Sequence, residues 1–221
     1  TQAKTLFPYT TLFRSSHRLS IVAFWSLVFG YLWTGAHHLV YSPLPDWIQT
    51  LGIVFTLFLI APSWGSVVNG YGTIGEDWSK MKTDYLAKFF ILGITFYGLQ
   101  TVQGPTQGLR VVSQLIHFTD WVVGHAHLVM FGVFTIWLMG IMTYLMPRLL
   151  HKPWYSRKLL EWHFWLSFIG FMGFAVSLWV GGFFQGIAKP GLQPPDRGHL
   201  KLSCELPARI RHDSDSPSWI F

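Results

Sequence analysis

Five stretches of this chain carry almost no charge and run, end to end, for about the thickness of a lipid bilayer: residues 19–41, 47–69, 86–102, 120–145 and 159–182. A hydrocarbon layer roughly 30 Å thick is crossed by about 20 residues of helix rising 1.5 Å each. Inside it the backbone must satisfy its own N–H and C=O groups, which a single apolar stretch achieves only as a helix. The fold class is therefore all-α, a polytopic transmembrane bundle of about five helices. Only 12% of the residues are charged and 51% are hydrophobic, so the pattern is one of blocks and not of half-buried faces. Pro62 falls within the second block, where it is expected to kink the helix or be absorbed by its neighbours.

The formal net charge is +6, but the basic residues gather on particular loops, which marks topology and not nucleic acid. Lys80, Lys82 and Lys88 follow the second span, and Arg148, Lys152, Arg157 and Lys158 follow the fourth. Those loops are placed in the cytoplasm by the excess of positive charge. The loops 42–46, with Pro43 and Pro45, and 103–118, with Pro105 and Arg110, then lie on the opposite face. The single cysteine, Cys204, rules out a disulfide framework and a cysteine metal site. Histidine is the one plentiful soft ligand.

The two ends of the chain differ from its middle. Residues 5–15 read as the in-frame translation of a widely used DNA sequencing adapter, so 1–18 is expected to be a non-native leader. Residues 187–221 are polar and contain proline, and Lys189, Arg197, Lys201, Arg209 and Arg211 would stand on the face where basic residues are sparse. That tail is expected to be non-native or disordered, which leaves 19–186 as the membrane unit.

Four histidines sit inside this apolar frame. His125 and His127 open the fourth span, and residues two apart on an α-helix diverge by about 200°, so each faces a different flank. His37 and His38 close the first span, where a loosened helix end would let both reach one metal. The first span runs outward and the fourth inward, so all four fall at one depth near the extracytoplasmic face. Separately buried histidines have no reason to coincide in depth; a shared cofactor site requires it. Tyr31 lies close to two turns before His38 and shares its face with Thr34. Glu161 and His163, at the start of the fifth span, read as interfacial residues without a role.

The motifs Tyr31-Leu-Trp-Thr-Gly-Ala-His-His, Pro45-Asp-Trp, Pro62-Ser-Trp-Gly, Gly104-Pro and His117-Phe-Thr-Asp-Trp, taken in order over about 20–186, resemble the catalytic subunit I of heme-copper oxidases. The likeness is nearest to the cbb-type cytochrome c oxidases. The resemblance implies that His37 and His38 hold the active-site copper, that His125 is the proximal ligand of a high-spin heme b, and that His127 is an axial ligand of a low-spin heme b. It implies that Tyr31 is the catalytic tyrosine of this subfamily and that His117, Thr119 and Asp120 lie near heme propionates, with Arg110 a weaker candidate. It further implies reduction of dioxygen to water with electrons from cytochrome c-type subunits, coupled to proton translocation, in a bacterial inner membrane.

The third copper histidine and the second axial ligand are expected on helices preceding residue 19, so the chain is read as an internal piece with half a ligand set, inactive alone. A nitric oxide reductase resembles the same scaffold but uses non-heme iron and lacks a tyrosine at the position of Tyr31. A non-catalytic metal transporter or electron-carrying cytochrome is the reading from another class. A transporter would place ionisable groups at several depths, and the spans here are almost free of them. A bundle with histidines satisfied by their neighbours is the remaining alternative.

Overall fold

The computed structural model describes residues 16–74 and 78–189, so the leader and tail readings fall largely outside the described residues. At their inner edges, His17 and Arg18 already belong to the first helix and Ile187 closes the last. Among the described residues there is no strand, and five segments are long and apolar enough to cross a membrane: His17–Leu39, Asp46–Thr73, Tyr85–Gly108, Asp120–Leu149 and Arg157–Ile187. The chain is a multi-pass membrane protein.

Within those spans the helices are α1 (His17–Thr34), α2 (Asp46–Phe58), α3 (Ile60–Ile74), α4 (Tyr85–Gly108), α5 (Arg110–Ile116), α6 (Asp120–His127), α7 (Ile136–Leu149) and α8 (Arg157–Ile187). Pro62 explains the break between α2 and α3 at Leu59. It lacks an N–H and its ring crowds the carbonyl four residues back, so it is tolerated in the first turn of a new helix. The other two interior prolines behave differently from the expectation. The third span does not end near Val102, because α4 runs on through Pro105 to Gly108, and α5 occupies most of the segment up to Phe118. Likewise α7 passes Pro147 and ends at Leu149. In an apolar medium the remaining helix bonds are too costly to give up for one missing donor.

α4 is the spine of the bundle. It contributes Phe96 to a buried cluster with Leu128, Val133, Phe171 and Ala175, Ile91 and Ile94 to a second with Val67, and Phe89 to a third with Ile136 and Phe164. α1 packs on α2 and α3, α3 and α7 pack on α4, and α6 packs on α8.

The two ends of the bundle carry the loops that the charge pattern assigns to opposite faces. At one end Tyr41 Oη donates to Arg110 O at 2.8 Å, and Arg110 Nη2 donates to Thr50 Oγ1 at 2.9 Å. Lys189 Nζ donates to the carbonyls of Leu115, in the last turn of α5, and of His117, its C-cap, where a cation complements the helix terminus. At the other end Tyr85 Oη donates to Arg157 O at 2.9 Å, and Lys88 pairs with Glu161 at 2.6 Å. Glu161 thus has a structural partner, which joins α4 to α8 and holds a Lys88 side chain only 12% exposed.

One buried amide organises the turn after α1. Gln49, 5% exposed on α2, accepts from Tyr41 N at 3.0 Å and donates to Ser42 O and Leu44 O at 3.2 and 2.7 Å. It thereby holds Tyr41 at φ 65, in the left-handed region that non-glycine residues seldom occupy. Gln49→Leu leaves these groups unpaired and is expected to cost about 2 kcal/mol. Thermal unfolding in detergent micelles checks this, and an unchanged midpoint would show that the loop satisfies itself.

Candidate functional site

The end of the first span is wound tighter than an α-helix. Gly35–Leu39 forms a 3-10 turn, followed by a buried Val40 and the loop that Gln49 holds. This turn brings the rings of His37 and His38 to 4.0 Å between centroids at 43°. Thr56 Oγ1, on α2, lies 2.8 Å from His37 Nδ1.

The helix with the other pair begins at a conventional cap. Thr119, 6% exposed, accepts from Trp121 N at 3.3 Å through Oγ1 and donates to Ile116 O at 2.6 Å. Asp120 occupies the first turn, where a carboxylate suits the helix dipole, and accepts from the Gln185 amide of α8. His125 and His127 then face opposite flanks. His125 turns to α4, with Nδ1 3.3 Å from Gln103 Oε1 and its ring edge against Gly104, where an added Cβ would stand 3.6 Å from Cε1. His127 turns to α8, its ring edge-on to Phe174 at 5.1 Å, and its Nδ1 lies 2.9 Å from Val123 O. A π-helical stretch, Leu128–Thr135, follows directly, and Thr135 Oγ1 donates to Met130 O at 2.9 Å. Such stretches are frequent beside functional residues because they re-aim the turn before them.

A small cavity of about 60 Å³ lies between the two histidine segments, lined by His37, His38, Gln107, Ser113 and His117. Gln107 Oε1 is buried without a hydrogen-bond partner. Burial first, then the charges of Lys189 and His38, holds the His117 imidazole below its usual range. His37 Cβ lies against Gly108 of α4, 3.6 Å from an added Cβ, one turn from Gly104, which meets His125. His37, His38, His117 and His125 are therefore brought to one end of the bundle, with His127 on the far flank of α6.

The remaining candidates stand further out. Tyr31 is exposed on α1. Thr119 and Asp120 have the helix-start partners given above. Arg110 is tied to the first turn of α2 through Thr50 and Asp46. Among the described residues no group of three or more His, Cys, Asp or Glu side chains is set to hold a metal ion.

The imidazoles nonetheless have the chemistry of ligands. A ligating histidine usually gives its second ring N–H to a protein acceptor, which leaves the other nitrogen for the metal. His127 Nδ1 faces a carbonyl, which can only accept, and His125 Nδ1 faces the Gln103 amide oxygen. Both therefore offer Nε2, on opposite sides of one helix. Gln103, Gln107 and Thr56 are the functional neighbours that sequence reasoning missed. The four-residue spacing of Gln103 and Gln107, one face of a helix, is the available signal, and Pro105 between them masks it because a proline there suggests a loop.

Comparison with known proteins gives the same direction. The family described as cytochrome c and quinol oxidase polypeptide I matches residues 9–199. A cytochrome c oxidase subunit 1 of Rhodobacter capsulatus is 43% identical over 78% of this chain and 32% of its own length. The cbb3-type cytochrome c oxidase subunit CcoN1 of Stutzerimonas stutzeri is 41% identical over 78% of this chain and 36% of its own length. A cytochrome c oxidase subunit 1 homolog of Agrobacterium tumefaciens (strain T37) is 42% identical over the same share of the chain. The chain spans about a third of the length of these relatives. With the match covering most of its residues and the histidine layer in place at one end of five membrane spans, the chain belongs to the cytochrome c and quinol oxidase polypeptide I family.

Proposed function

We propose that this chain carries the histidine layer of the catalytic subunit of a terminal respiratory oxidase, with 19–186 as its membrane unit. In that reading the subunit reduces dioxygen to water with electrons from cytochrome c-type subunits, coupled to proton translocation, in a bacterial inner membrane. His37 and His38 ligate copper, His125 a high-spin heme b and His127 a low-spin heme b. The metals, when bound, supply the electrons and the open coordination position that dioxygen reduction needs.

The chain's own residues supply placement and protons. Imidazole suits both copper and heme iron, and α6 presents one on each flank. Tyr31 holds a phenol proton on the same helix as the copper pair. His117, Thr119 and Asp120 line the approach to carboxylate substituents of a heme.

The observation that carries this reading is the placing of the His37-His38 pair and His125 against neighbouring turns of α4, at Gly108 and Gly104, with His37 Nδ1 at Thr56 and His125 Nδ1 at Gln103. The test is metal analysis of the full-length subunit purified from membranes, with reduced-minus-oxidised and carbon monoxide difference spectra. One copper and two hemes, one of them binding carbon monoxide, is the expected result. Non-heme iron in place of copper moves the reading to a nitric oxide reductase, and the absence of heme returns the histidines to packing roles. The chain of 221 residues alone is expected to show no oxygen uptake with reduced cytochrome c, because two imidazoles are an incomplete copper site.

A further inference from the structure

The cytoplasmic end of α7 borders two cavities of opposite character. One, of about 540 Å³, lies between α7 and α8 and is walled mainly by Leu138, Met139, Met142 and Leu160. The other, of about 210 Å³, lies where α7 meets the start of α4, among Thr83, Asp84, Tyr85 and Arg148. Thr143 and Trp154 line both, so the two chambers meet there. Leu138 and Met142 are 56% and 42% exposed, so the apolar chamber opens sideways from the two spans.

The boundary between the chambers is fixed by a proline. Pro147 has no N–H to give the carbonyl four residues back, which is that of Thr143. Trp154 Nε1 donates to that carbonyl at 2.8 Å and stands in for the missing helix bond. The polar edge of the indole is thereby satisfied, and its apolar body is held between the chambers. Arg148 is the cation among the residues lining the polar chamber. Its guanidinium lies 3.4 Å from the centre of the Tyr144 ring and gives one N–H to Tyr144 O at 2.6 Å. Asp84, at the same chamber, is the N-cap of α4 and accepts from Leu86 N at 2.9 Å.

From Thr135 to Arg148, α7 runs toward the basic loop that the charge pattern places in the cytoplasm. Polarity therefore changes along the chambers in the order of a bilayer leaflet: apolar at depth, a tryptophan at the boundary, a cation outermost. A phospholipid has the same order, from acyl chains to phosphate. We propose that the two chambers form one site for a glycerophospholipid of the cytoplasmic leaflet, its phosphate held by Arg148 and an acyl chain laid between α7 and α8 beside Trp154. A guanidinium pairs with any phosphate, but a lipid also fills the apolar chamber. None of the four histidines takes part, so the site stands or falls apart from the oxidase reading.

The experiment uses the full-length subunit, purified from membranes and stripped of lipid with detergent. It is titrated with dioleoyl phosphatidylglycerol, or with dioleoylglycerol, which has the chains without the phosphate, and bound lipid is counted by native mass spectrometry. The parent is expected to hold one phosphatidylglycerol and to bind dioleoylglycerol at least about 10-fold more weakly, the loss of a charge-assisted pair. Arg148→Gln, and Met142→Trp, which fills the apolar chamber, are each expected to weaken phosphatidylglycerol about 10-fold, with circular dichroism verifying their helices. Lys158→Gln removes a cation that follows the same loop but lines neither chamber, and keeps parental binding. Equal binding of the two probes by the parent, or of neither, overturns the proposal, and that comparison decides the matter even where a variant does not fold. Parental binding in either folded chamber variant overturns it as well, as does an equal loss in Lys158→Gln.

Discussion

In the full-length subunit, His125→Ala is expected to remove the carbon monoxide-binding heme and to cut oxygen uptake by more than about 100-fold, the upper end of what losing a mere neighbour of a ligand costs. His127→Ala is expected to remove the other heme signal and leave carbon monoxide binding in place. The two imidazoles are only two residues apart, yet they point to different neighbours. His125 meets Gln103 and Gly104 of α4, and His127 meets Phe174 of α8. Neither side chain carries the fold, since the buried cluster beneath them is built from Phe96, Leu128, Val133, Phe171 and Ala175. Each variant should therefore assemble and lose one spectral component. Loss of the same component in both variants would sink the assignment of a separate heme to each flank.

How much of this was readable without coordinates depended on whether the solvent or the neighbours decide. The five spans were legible because the bilayer imposes length and apolarity on each one independently. That His37 and His38 share one end of the bundle with the start of α6 was legible from the alternating direction of the spans. What failed were decisions taken between segments. Pro105 breaks a helix in water, but within the bundle α4 continues past it, which carries Gln103 and Gln107 to the histidines. Thr56 looked like any polar residue in a span, and nothing in its local sequence marks the loop 19 residues earlier as its partner. The ion pair of Lys88 with Glu161 joins residues 73 apart, and no helical spacing announces it. The π-helical stretch after His127 is a property of how α6 and α7 join, and its composition is that of any apolar helix.

Tyr31→Phe is the second large effect, and it separates chemistry from assembly. Tyr31 is 59% exposed, so deleting its hydroxyl leaves no cavity and no buried group without a partner. Its backbone carbonyl accepts from Thr34 Oγ1 at 3.2 Å, a bond that phenylalanine preserves. Heme and copper contents of the full-length variant are therefore expected to match the parent. Turnover is not. A phenol on the helix of His37 and His38 can give a proton and an electron together, and phenylalanine can give neither. Loss of a positioned proton donor typically costs about 10²- to 10⁴-fold, so oxygen uptake should fall within that range while carbon monoxide binding persists. Parental oxygen uptake in the variant would remove Tyr31 from the reaction. It would also remove the residue that sets the oxidase reading above that of a nitric oxide reductase, since the histidines alone serve either.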